Sequence, residues 1–386
     1  MKCTRCGYDS KYKERSSGRC PQCRKEFAFE PKEGALLTDP AFQAAIDAVS
    51  AKGQIRWGVE HLYYEVCRRY RKKKVAPAGC IGVSVAIVVT GLIFAFAASS
   101  VSAGIIALVA GVIAVILVLK RQQKTVVLDD KKFNEMWDRW VRVHGTPPGL
   151  IVRQEQPARR RPAEPDLGDY SFDRAVICDR ARTADLLLAN NFHFENNCAV
   201  LAIGGYPRGP FETVRAMLKR NPRLQVFVLH DASVAGCKTA YHLVNDPDWF
   251  KGHTASITDV GLRPFQAKPF EGLFVASGRD QVLPGEGITT KEAEWLSKYT
   301  LELAAIRPEQ VLKRLFRAIN RKEEIRPESY IAAGAAAGAA PLIAMDEQEE
   351  QLRKKRELDF EMDFDLDSDS FSSDASDSDG GADSFG

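Results

Sequence analysis

Apolar and polar positions follow three different rhythms along this chain. In the first, side chains repeat at helical spacing. Thr38-Asp39-Pro40 supplies a cap with proline in the first turn, and Phe42, Ala45, Ile46 and Val49 recur behind it. Ile55, Val59, Leu62, Tyr63, Val66 and Tyr70 form a second stripe, and Phe133, Met136, Trp137, Trp140 and Val141 a third. These stripes predict helices that pack on one another, with Trp137 and Trp140 either in that packing or at a lipid interface; His61 reads as a surface or packing residue. The second rhythm is unbroken: residues 75–119 contain no charged side chain. The third begins at residue 171, where short apolar runs alternate with amphipathic ones. Strands are expected at Arg174–Cys178, 199–203 and Gln225–Leu229, and helices at 183–190, Phe211–Arg220 and 233–244. Further strands are expected at 256–262 and 273–276, and helices at 289–305 and Pro308–Asn320.

The uncharged run is long enough for two membrane spans, since one helix needs about 20 apolar residues to cross about 30 Å of hydrocarbon. Ser99-Ser100 marks the break, giving spans at 79–98 and 101–119. Small residues at four-residue spacing (Gly82, Ala86, Thr90; Ala103, Ala107, Gly111) would let the spans approach closely. Arg68, Arg69, Arg71 and Lys72 to Lys74 precede the run, and Lys120, Arg121 and Lys124 follow it. Basic residues at both outer ends predict a hairpin with both flanks in the cytosol. With no ionisable group inside, the hairpin reads as an anchor rather than an ion or proton path.

Alternating strands and helices after residue 171 imply a parallel sheet covered on both faces, and ligands of such sheets gather at the carboxyl ends of the strands. Asp179, Gly204-Gly205 and Asp231 fall at those ends. Asp179 and Asp231 are therefore the candidate catalytic or magnesium-binding carboxylates. Asp231 as a helix cap and His230 as a hydrogen-bonded strand end are the structural alternatives.

Charge refines this layout. The net charge is +3, yet residues 1–356 hold all 54 basic side chains and only 40 of the 51 acidic ones. Such a body attracts anionic lipid, nucleic acid or its own acidic tail. Nine cysteines in a chain expected to face the reducing cytosol point to metal binding before disulfides. Cys3, Cys6, Cys20 and Cys23 stand in a C-x2-C-x13-C-x2-C pattern, two thiolate pairs that suit a closed tetrahedral structural zinc site. Cys178, Cys198 and Cys237 lack ligand spacing and read as buried thiols.

Two resemblances follow from these residues. The first 30 residues resemble the zinc ribbons that open many bacterial proteins, with Arg24 where a glycine often follows the last cysteine. The ribbon implies an adaptor for protein or nucleic acid, and with the hairpin a bacterial inner-membrane location with both termini cytoplasmic. Gly205-Tyr206-Pro207, Thr213 with Arg215, and Asp231 with Gly236 resemble, in order and spacing, the Toprim domain of topoisomerase VI A subunits. That family implies a magnesium site built from a glutamate and two aspartates. Here the glutamate position holds Asp179 and the second aspartate position Ser233, so at most two of three carboxylates remain. Residues 126–170 also leave no room for the winged-helix unit that carries the family's strand-cleaving tyrosine.

The expected architecture is therefore multidomain: a zinc ribbon (1–30), a cytosolic helical segment (38–74), a transmembrane hairpin (75–119), a juxtamembrane helix (126–149), a linker rich in Pro, Arg and Glu (150–170), a Toprim-like α/β domain (171–325), and an Ala/Gly linker with a disordered acidic tail (331–386). The tail carries 11 acidic residues and no Lys or Arg from Glu357 onward. It reads either as a docking motif for a protein partner, through Phe360, Met362, Phe364 and Leu366, or as a cover for the basic body. The first functional expectation is a non-enzymatic, membrane-tethered scaffold with structural zinc. The second is a magnesium-dependent phosphoryl-transfer or nuclease-type enzyme acting on nucleic acid at the membrane.

Overall fold

The computed structural model describes residues 1–15, 17–30, 35–74, 125–126, 128–152 and 172–320. The expected hairpin at 75–119, most of the linker and the acidic tail lie outside the described residues. Among the described residues no helix is long and apolar enough to cross a membrane.

A four-stranded parallel sheet forms the centre, with strands β1 (Arg174–Cys178), β2 (Cys198–Ala202), β3 (Gln225–Leu229) and β4 (Ser256–Asp259) in the order β2-β1-β3-β4. Period-two alternation divides β1, β2 and β3 between two cores. Ala175, Ile177, Leu201, Val226 and Val228 face one side, where Phe211, Leu218, Leu243 and Trp249 meet them. Val176, Cys178, Val200, Phe227 and Leu229 face the other.

That second core reaches far beyond the sheet domain. The N-terminal helices α1 (Asp39–Val49), α2 (Val59–Lys74) and α3 (Asp130–His144) contribute Phe42, Ile46, Leu62, Tyr64, Phe133 and Trp140 to it. They meet Leu186 and Leu187 from α4 (Ala181–Ala189) and Val311 and Leu315 from α9 (Pro308–Asn320), which follows α5 (Phe192–Glu195), α6 (Phe211–Arg220), α7 (Val234–Asn245) and α8 (Thr290–Lys298). Trp140 stacks on Phe29 with centroids 6.1 Å apart and tilts against Phe42 at 4.8 Å, while Trp137 sets its edge against Trp57. Both tryptophans thus pack within the body. Each buried aromatic of this kind contributes about 2–3 kcal/mol.

Polar ties reinforce the same seam. Glu65, 1 % exposed on α2, is surrounded by Arg68, Arg69 and Arg307, with Arg69 Nε at 3.0 Å and Arg307 Nε at 3.2 Å. Arg68 also donates to Ala305 O at 2.7 Å. Burial would raise the Glu65 carboxyl, but the three guanidiniums hold it below its ordinary value. On the far side of the apolar run, Val126 N donates to Phe274 O at 2.8 Å. The chain therefore leaves one packed body at residue 74 and rejoins it at residue 125.

Two elements differ from expectation. The helix expected over 289–305 stops at Lys298, because Tyr299–Thr300 (β6) pairs antiparallel with Val275–Ala276 (β5) and Leu301 pairs with Ala232. Thr289 does cap α8, in a capping box with Glu292. The strand expected at 256–262 ends at Asp259, whose carboxylate is drawn into bonds with His230 and Arg263.

Candidate metal centre and the carboxyl pole of the sheet

Two knuckles of the same design bring the four N-terminal cysteines together. In the first, Cys3 N donates to Tyr8 O and Gly7 N to Cys3 O; in the second, Cys20 N donates to Lys25 O and Arg24 N to Cys20 O. Each knuckle turns through the left-handed region, at Gly7 (φ 74°) and at Arg24 (φ 56°). Arg24 thus adopts the backbone that glycine would take more easily. Cys3 and Cys23 sulfurs lie 3.8 Å apart, those of Cys6 and Cys20 3.6 Å, and all four ligand atoms lie within 4.8 Å of one another. Tetrahedral zinc with bonds of about 2.3 Å requires sulfurs about 3.8 Å apart, so the set fits one metal ion such as zinc. The crowded thiols share their protons unequally: the Cys23 backbone N–H leads in pulling Cys20 down to about 7, while burial and the neighbouring thiols push Cys6 up to about 12. Among the described residues this is the one cluster of three or more Cys, His, Asp or Glu side chains close enough to share an ion.

The ribbon is fixed to the body through Asp39. This carboxylate is fully buried at the start of α1, accepts from Ala28 N at 3.0 Å and Phe29 N at 2.7 Å, and pairs with His144 Nε2 at 2.7 Å. Arg5 adds a bond to Val143 O.

At the carboxyl ends of the strands, the sheet order changes direction between β1 and β3, and Asp179 and Asp231 follow those two strands. Asp231 N donates to Asp179 Oδ2 at 3.0 Å, so the two carboxylate-bearing turns interlock. Asp231 Oδ1 accepts from Leu303 N at 2.6 Å. Arg180 Nε lies 2.5 Å from Asp231 Oδ2, an ion pair whose angle is too poor for a hydrogen bond. Asp179 Oδ1 is buried and receives no hydrogen bond from the described residues. Glu302 sits alongside, 2.6 Å from Arg182 and 3.3 Å from Arg180. Tyr64 of α2 is buried against this pole; burial first, then Glu302, pushes its phenol up. Burial, then the neighbouring Asp179, raises Asp231 to about 7. Burial also raises Asp179.

Gly236 is required here by space: a Cβ would lie 2.3 Å from Asp231 O and 3.2 Å from Asp179 Oδ2. Ser233, not Asp231, caps α7, its hydroxyl accepting from Gly236 N at 3.0 Å. His230 is fully buried, with Nε2 2.9 Å from Asp259 Oδ1 and Nδ1 2.8 Å from Asp231 O. Gly205 (φ 84°) and the cis Tyr206-Pro207 bond form the turn after β2, where Tyr206 bonds to Asp185. Arg215 lies away from the pole, its guanidinium 5.6 Å from the Phe211 ring and 5.9 Å from the Trp249 ring. Cys198 and Cys237 are pushed up to about 12 by burial, and Cys178 well above its ordinary value.

The structure brings the two candidate aspartates together, with partners that the sequence did not announce. Arg180 and Arg182 adjoin Asp179 in the chain, and that proximity was the available signal. Glu302 and Tyr64 come from elements distant in sequence and carry no local mark. No protein-family model, curated protein or solved structure matches this chain.

Proposed function

We propose that this protein is a membrane-tethered, cytosolic binding or scaffold protein, with a structural metal site and a Toprim-like domain that has given up catalysis. One observation carries the reading: the segments flanking residues 75–119 belong to one packed body, through Glu65 with Arg307 before the run and Val126 with Phe274 after it. A chain that leaves and returns to one body crosses a bilayer an even number of times, and 45 uncharged residues suffice for two crossings. Loss of catalysis is supported by the pole. Asp231 is engaged by Leu303 N–H and Arg180, Asp179 by the Asp231 N–H, and Ser233 is spent as a helix cap. Leu303 N–H is bonded to Asp231, Leu301 pairs with Ala232, and Tyr64 is buried near Glu302, so this end of the sheet is occupied by the chain's own residues.

Reporter fusions test the tether. Fluorescent reporters at the N and C termini should both be active in the cytosol, and the chain should stay with the membrane fraction after alkaline carbonate. One terminus outside, or release by carbonate, overturns the reading.

A second reading, a magnesium-dependent phosphoryl-transfer or nuclease-type enzyme acting on nucleic acid, is favoured by Asp231 alone. Asp179 lies beside the buried Asp231 and raises its carboxyl, a repulsion that a divalent cation would relieve. Magnesium titration of the full chain decides between them, because a fragment from residue 171 would expose the core it shares with α1 to α3. Heat of binding that disappears in Asp231→Ala, together with nuclease activity lost in that variant, would establish the enzyme; no binding and no cleavage is the expected result.

A further inference from the structure

The two knuckles of the ribbon copy one another position for position. The backbone of Lys2 bridges Asp9 as that of Arg19 bridges Glu26, and Cys3 N donates to Tyr8 O as Cys20 N donates to Lys25 O. Where the copies differ they add chemistry, because Gly7-Tyr8 in the first is Arg24-Lys25 in the second. A ring and two cations therefore stand at matched stations around four sulfurs that lie within 4.8 Å of one another. All three are exposed, Tyr8 at 41 %, as are Lys2 and Arg19 at the entrance to each knuckle. Arg24 holds its guanidinium there at φ 56°, a backbone that glycine takes more easily. Residues kept against their backbone preference gather where a ligand is bound.

The charge of this surface is one-sided. Residues 1–26 hold eight Lys or Arg and three Asp or Glu. Asp9 is already engaged, 2.9 Å from the N-terminal ammonium, and Glu14 accepts from Lys11 N at 3.1 Å. The basic runs of α3 and α6 differ. On α3, exposed Lys131, Lys132, Arg139 and Arg142 alternate with exposed Asp130, Glu135 and Asp138. On α6, Arg215 is 2.6 Å from Glu212 and lies over the Phe211 ring, and Lys219 donates to Pro247 O at 3.0 Å. A lipid surface takes aliphatic or tryptophan anchors beside its cations, whereas among the described residues of the ribbon Tyr8 is the one large apolar side chain that is exposed. Cations for successive phosphates and a flat ring for a base are what an unpaired nucleic-acid strand requires. We propose that the ribbon binds such a strand, with Arg24, Lys25, Lys2 and Arg19 on its phosphates and Tyr8 stacked on a base. The inference names a partner for the binding protein proposed above, and rests on that reading only in taking the ribbon as a binding module.

Fluorescence anisotropy of the full, metal-loaded chain in neutral detergent, with a labelled oligothymidylate of about 15 nucleotides, tests it. Arg24→Gly gives the second knuckle the residue its backbone favours, so it should hold metal at least as well as the wild type. It should nonetheless weaken the oligonucleotide about threefold and take about 0.7 from the logarithmic salt slope. Tyr8→Ala should weaken the oligonucleotide about tenfold and leave heparin, which has no bases, unaffected, while Tyr8→Phe restores binding. Unchanged affinity in Arg24→Gly or in Tyr8→Ala, an equal loss for heparin and oligonucleotide in Tyr8→Ala, or affinity lost instead in Arg220→Glu with Arg223→Glu would each overturn the proposal. Amide exchange over residues 19–25 should slow when the oligonucleotide is added. Slowing only when phosphatidylglycerol is mixed into the micelles would assign this face to lipid and overturn the proposal as well. None of these outcomes bears on the carbonate and reporter experiments.

Discussion

The ribbon and the sheet body hold themselves together in opposite ways. Among the described residues the ribbon's own apolar cluster holds Cys3, Cys20 and Phe27, with Met1 and Cys23 packed against them, a core too small to order this segment without a metal. The body joins α1 to α3, the sheet and α9 in one apolar cluster and closes the seam with buried ion pairs. The first is local in sequence and depends on chemistry; the second is long-range and depends on area. Each should therefore fail separately, under a different stress.

Metal removal is the sharpest way to break the comparison. Chelation, or Cys20→Ser, should abolish order in residues 1–26, a loss on the order of 10 kcal/mol of binding-linked folding energy, while α1 and the sheet persist. Hydrogen exchange resolved along the chain measures this, and simultaneous loss of protection in β1 to β3 would show that the two regions are one cooperative unit.

Glu65→Ala is the matching test of the body. It leaves Arg68, Arg69 and Arg307 without their shared carboxylate and should cost about 3 kcal/mol, read from the denaturation midpoint, with metal content unchanged. A change within about 0.5 kcal/mol would mean that the seam is held by apolar contact alone.

The smallest effect concerns pH. Asp231 is raised from its ordinary 3.8 to about 7, so the folded state binds its proton more tightly than the unfolded chain. The stability this contributes is fully present below about pH 4 and is lost as pH rises towards and through 7. Glu65 is depressed and acts in the opposite sense, contributing at neutral pH and losing its contribution as pH falls through its folded value. Asp231→Asn keeps an acceptor for Leu303 N–H and removes the titration, so it should gain about 2 kcal/mol on the wild type between pH 4 and 7. Parallel stability curves for the two proteins would show that Asp231 does not titrate in that window.

What the sequence made legible follows the same division. The four cysteines are visible because a metal site of this type is built from two short motifs, and their sulfurs converge as the spacing requires. The parallel sheet was readable because β1, β2 and β3 are buried on both faces and therefore apolar, apart from Arg174 and Gln225 at the start of β1 and β3. The carboxyl pole was half readable. Asp179 and Asp231 stand at strand ends, but nothing near them tells that Glu302 and Leu303 fold back across 70 residues, or that Tyr64 arrives from before the apolar run. Tyr299 and Thr300 deceived the helical pattern because their pairing with β5 outweighs local spacing. Arg24 also departs from its motif, since the backbone accepts there, at a modest cost, a residue that composition would not choose.

The core shared across the apolar run also sets an order of events during synthesis. The ribbon is complete when its first 30 residues and a metal are available, long before the rest of the chain exists. Helices α1 and α2 emerge next and can pack on each other, but Leu186, Leu229, Val311 and Leu315, which complete the apolar cluster they share, are made more than a hundred residues later. Residues 75–119 leave the ribosome during that wait. Their destination is thus decided before the body can close, and for that interval α1 and α2 are exposed to whatever chaperone or translocation machinery receives the nascent chain.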